Sequence, residues 1–103
     1  MPYIKDKEKK KFANLIDKLV LYINSKGDLN YVICELTSQF IAQTGVTYTR
    51  MSEKIDAVHD AEAELRRRLL DPYEDQKIID NGDVPSFKII SQIMREANDR
   101  KLG

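Results

Sequence analysis

From Phe12 to Ile23 the apolar residues recur at a spacing that suits a helix. Phe12, Leu15, Ile16, Leu19, Val20 and Ile23 stand at i, i+3, i+4, i+7, i+8 and i+11. At about 100° per residue all six share one face for three turns. A half-buried strand needs strict alternation, and no segment of the chain alternates for long enough. The expected class is therefore all-α. This first helix is expected over about 7–25, with Asp6 as its N-cap. Gly27 stands where a left-handed residue closes a helix.

The same period marks further helices. Leu29, Val32, Ile33, Leu36 and Phe40 form a second stripe, with Asp28 as the expected cap and Gly45 as the stop. The β-branched pair Val32-Ile33 allows a strand, but about 15 residues is helix length. A third helix opens at Thr47 or Thr49 and carries through Leu70, with Met51, Ile55, Val58, Leu65 and Leu69 on one side. Asp71-Pro72 then interrupts it. Proline kinks a helix from inside or starts a new one at its first position, so a kink or restart is expected there. A short helix to about Asp80 follows, and Asn81-Gly82-Asp83 is a strong stop. Ser86 is the expected cap of a last helix over about 86–100.

Four to five helices joined by short loops imply a compact bundle with a proline break after the third. One domain over 1–103 is expected, its last helix able to pack back or to reach a partner subunit. A chain this short buries roughly 60–65 % of its unfolded surface and is marginally stable. Self-association would relieve that, a homo-oligomer is expected, and a dimer is favoured.

Composition removes several functional classes. One Cys (Cys34) and one His (His59) exclude an internal disulfide and fall short of a four-ligand zinc site. No run of about 20 apolar residues exists, so no membrane span is expected. Lys+Arg and Asp+Glu balance at 17 each, which argues against a nucleic-acid partner. Met1-Pro2-Tyr3-Ile4-Lys5 leads into charge rather than an apolar signal core, and a lone Cys suits a reducing setting. The expected location is cytoplasmic. No Ser/His/Asp or Cys/His set, phosphate loop, GxGxxG or metal-finger spacing occurs. No cofactor and no catalytic residue is expected, and the balance leans away from an enzyme.

Three stretches carry a recognisable pattern: Gly27-Asp28-Leu29-Asn30-Tyr31-Val32-Ile33, Glu64-Leu65-Arg66-Arg67-Arg68, and Pro72-Tyr73-Glu74-Asp75-Gln76-Lys77-Ile78 running to Asn81-Gly82-Asp83. With the opening Met-Pro-Tyr-Ile they resemble a family of short helical proteins of unknown function from bacteria and phages, over about 1–84. The resemblance carries no activity to transfer. It implies that Asn30, Tyr31, Tyr48, Glu64, Arg67, Arg68, Tyr73, Glu74, Asp75 and Lys77 are the family's recurring polar positions. Arg66, where an aromatic is more usual, and Cys34, where Thr is expected, depart from it.

Two constellations could carry chemistry. Glu53, Asp56, Asp60 and Glu64 line one face of the third helix, and Asp56, Asp60 and Glu64 could ligate Mg²⁺, a hard cation that takes oxygen. All-α nucleotide pyrophosphohydrolases place carboxylates on paired helices in a similar way. The simpler reading is a solvated acidic face. Arg67, Arg68 and Lys77 could grip a phosphate, Arg being suited to bidentate contacts. Tyr73 and Tyr48 could stack on a base, and Asn30 and Tyr31 could join that site. The simpler reading is a set of ion pairs and turn contacts around the break. The five Lys of Lys5–Lys11 outnumber Asp6 and Glu8 by three, and a solvated helix start explains them.

The leading expectation is a non-enzymatic, self-associating interaction module. A binding module for a small anion or nucleotide, or a site for another protein, is the alternative. A divalent-metal nucleotide hydrolase is the third reading.

Overall fold

The computed structural model describes residues 2–102. Its order is α1 Asp6–Val20, α2 Lys26–Thr44, α3 Tyr48–Leu65, a π turn Arg66–Leu70, α4 Asp71–Asn81 and α5 Pro85–Leu102, with no strand among the described residues. The all-α class follows from the sequence. Several boundaries differ from the expectation.

α1 begins at Asp6 itself, and Lys5 precedes it without a side-chain cap. It ends at Val20, where tight turns take over: the Tyr22 and Ile23 amides donate to the Leu19 and Val20 carbonyls at 3.0 and 3.2 Å. Gly27 does not close α1. It lies in the first turn of α2, because Ser25 starts that helix three residues before the expected Asp28. The Ser25 hydroxyl accepts from the Asp28 amide at 3.0 Å, and the Asp28 carboxylate accepts from the Asn24 amide at 2.9 Å. The Ser25 and Asp28 side chains thus satisfy two amides at the start of α2, those of Asp28 and Asn24, a near relative of the capping box.

α2 stops at Gly45, whose φ of 119° and ψ of 142° are open only to glycine. Thr47 caps α3, its Oγ1 accepting from the Arg50 amide at 3.3 Å. The Arg50 guanidinium donates back to the Thr44 carbonyl at 3.0 Å, satisfying an end group of α2. A Cβ on Gly45 would stand 2.3 Å from that guanidinium. Lys54 lies 5.3 Å from the Phe40 ring centre, a cation–π pair across the same corner. Ile41, Thr44, Met51 and Lys54 are half-buried there.

The proline break is neither a restart nor a simple kink. Asp71 caps nothing: its φ and ψ of −62° and −45° are helical, and its amide donates to the Arg66 carbonyl five residues back. Proline lacks an amide proton and its ring collides with the carbonyl four residues before it, here Arg68. Widening the preceding turn to the π register accommodates both, and π turns are commonly single insertions of this kind. α3 therefore ends at Leu65 rather than at Leu70. α4 ends where the Asn-Gly-Asp stop predicts, at Gly82 with φ 86°. Ser86 is not the cap of α5. That helix opens at Pro85, a favoured first residue, and the Phe87 amide donates to the Val84 carbonyl at 3.0 Å.

Backbone contacts divide the chain into two units, residues 1–64 and 65–103. The compact bundle is not observed in either. No described residue is buried, and among the described residues the π turn and α4, neighbours in sequence, are the one pair of elements in extensive backbone contact. The physical reason is plain. Periodicity identifies the apolar side of a helix and is silent about what covers it. The stripe of α1 stays open: Leu15 is 65 % exposed, Ile16 59 % and Val20 57 %. In the second unit Phe87, Ile90, Ile93 and Met94 of α5 are likewise exposed.

Candidate functional site

In the first unit α3 presents one row of carboxylates. Glu53, Asp56, Ala57, Asp60 and Ala61 fall on one side of the helix at its natural period, and with Pro2 they line an open cleft of about 430 Å³. The two alanines leave the space that the carboxylates border. The N-terminal segment supplies the other wall and is fastened at Tyr3, whose hydroxyl donates to Glu64 Oε2 at 2.5 Å.

The three carboxylates singled out as metal ligands stand at four-residue steps along this row. Each step rises about 6 Å, so Asp56 and Glu64 begin about 12 Å apart along the axis. Metal–oxygen bonds to one hard cation are only about 2.0–2.6 Å. Among the described residues no group of three or more His, Cys, Asp or Glu is close enough to hold an ion. Glu64 is half-buried and accepts from Tyr3.

The remaining candidates divide between the units. In the first unit Tyr48 opens α3 and is highly exposed, as is Tyr31 on α2. Neighbouring Asn30 accepts through Oδ1 from the Cys34 thiol, 3.3 Å away. Cys34 is exposed. His59 is exposed on α3. In the second unit Arg67 and Arg68 belong to the π turn, and Tyr73 and Lys77 to α4. Lys77 Nζ lies 5.4 Å from the Tyr73 ring centre, an i,i+4 pair that occupies one face of the ring.

Sequence reasoning missed Pro2, Tyr3 and Arg50. Tyr3 meets a residue 61 positions away, a pairing that no local period encodes. Arg50 was legible in principle, since a cation five residues after a terminal glycine is within reach of the last carbonyls. Among the described residues no helix is long and apolar enough to cross a membrane.

Comparison with known proteins is informative on one point. A family model described as a domain of unknown function (DUF6899) matches residues 1–84. The chain belongs to this family, and α5 lies beyond the matched region. No curated protein and no solved structure matches the chain.

Proposed function

We propose that this DUF6899-family chain is a non-enzymatic helical interaction module that works as a homo-oligomer, with the dimer as the smallest assembly. One observation carries the reading. In the first unit the apolar stripe of α1 is exposed: Leu15 is 65 % exposed, Ile16 59 % and Val20 57 %. Apolar residues gathered on one helix face, rather than scattered singly, mark association surfaces.

A second copy fits this surface better than a small ligand. The cleft beside α3 is bordered by carboxylates, the wrong sign for a phosphate. The exposed Cys34 and the absence of a second cysteine suit a reducing, cytoplasmic setting. Sedimentation equilibrium of the purified chain tests the reading. A mass of two or more chains, with helicity falling on dilution, is expected. A fully helical 11.9 kDa species at all workable concentrations overturns it.

A further inference from the structure

We draw no further inference here: the strongest candidate, the open cleft beside α3 bordered by Glu53, Asp56 and Asp60, is an acidic cluster with no second observation among the described residues that points to a ligand.

Discussion

The corner between α2 and α3 and the exposed stripe of α1 lie in the same unit and solve opposite problems. At the corner every specified residue has a local purpose. Gly45 turns the chain, Arg50 satisfies the Thr44 carbonyl, Thr47 caps α3 and Lys54 covers Phe40. All of these partners lie within 14 residues of one another, and the chain supplies them itself. α1 has equally regular residues, yet its apolar side stays exposed, with Leu15 at 65 % and Ile16 at 59 %. A helix can be fully specified in sequence while its partner is not. Under the proposed self-association, regular patterning without cover is where a partner would bind.

The sharpest way to break this contrast is a charge in the α1 stripe. Leu15→Asp is expected to raise the dimer dissociation constant by roughly 100-fold or more, about 3 kcal/mol. Sedimentation velocity across a concentration series reads it. An unchanged mass would remove α1 from the interface.

At the corner, Gly45→Ala is expected to lower stability by about 2–3 kcal/mol, because alanine must hold a glycine-only conformation against the Arg50 side chain. Gly82→Ala is the comparison: its φ is also positive, but a Cβ there meets nothing within 4 Å. It should cost less, about 1–2 kcal/mol from backbone strain alone. Urea melts followed by circular dichroism rank the two, and equal losses would deny the Arg50 contact its role.

Ser25→Ala should cost about 1 kcal/mol by removing the cap of α2. Gly27→Ala, a helical position whose added Cβ would meet only the Ser25 hydroxyl at 3.7 Å, should instead stabilise by about 0.5–1 kcal/mol. Opposite signs two residues apart would confirm that α2 begins at Lys26. The smallest effect is expected from Tyr3→Phe, about 0.5–1 kcal/mol, since the Tyr3–Glu64 bond is only partly shielded from water. Faster amide exchange along residues 2–5 would register it.

The helices were legible because spacing and stops are local. Phe12 to Ile23 fixed the face of α1, while Gly45 and the Asn81-Gly82-Asp83 stop fixed two ends. Starts were harder to place. Ser25, Asp28 and Gly27 offer three competing signals within four residues, and the Asp28 amide donating to the Ser25 hydroxyl decides among them. The π turn before Pro72 was not legible, because a proline states that the ladder must change and not how. The missing core was beyond reach for a different reason: stripes that match a bundle also match an assembly. Of the candidate anion residues, Arg67, Arg68, Tyr73 and Lys77 flank the Pro72 break, and the i,i+4 spacing of Tyr73 and Lys77 matches their contact. The Tyr3–Glu64 bond spans 61 positions and has no such local spacing.

The most direct test is the mass of the untagged chain in solution, followed by sedimentation equilibrium from high to low concentration with helicity recorded in parallel. The homo-oligomer predicts a multiple of 11.9 kDa whose dissociation and loss of helix coincide. A monomer that keeps its full helical signal on dilution would contradict it.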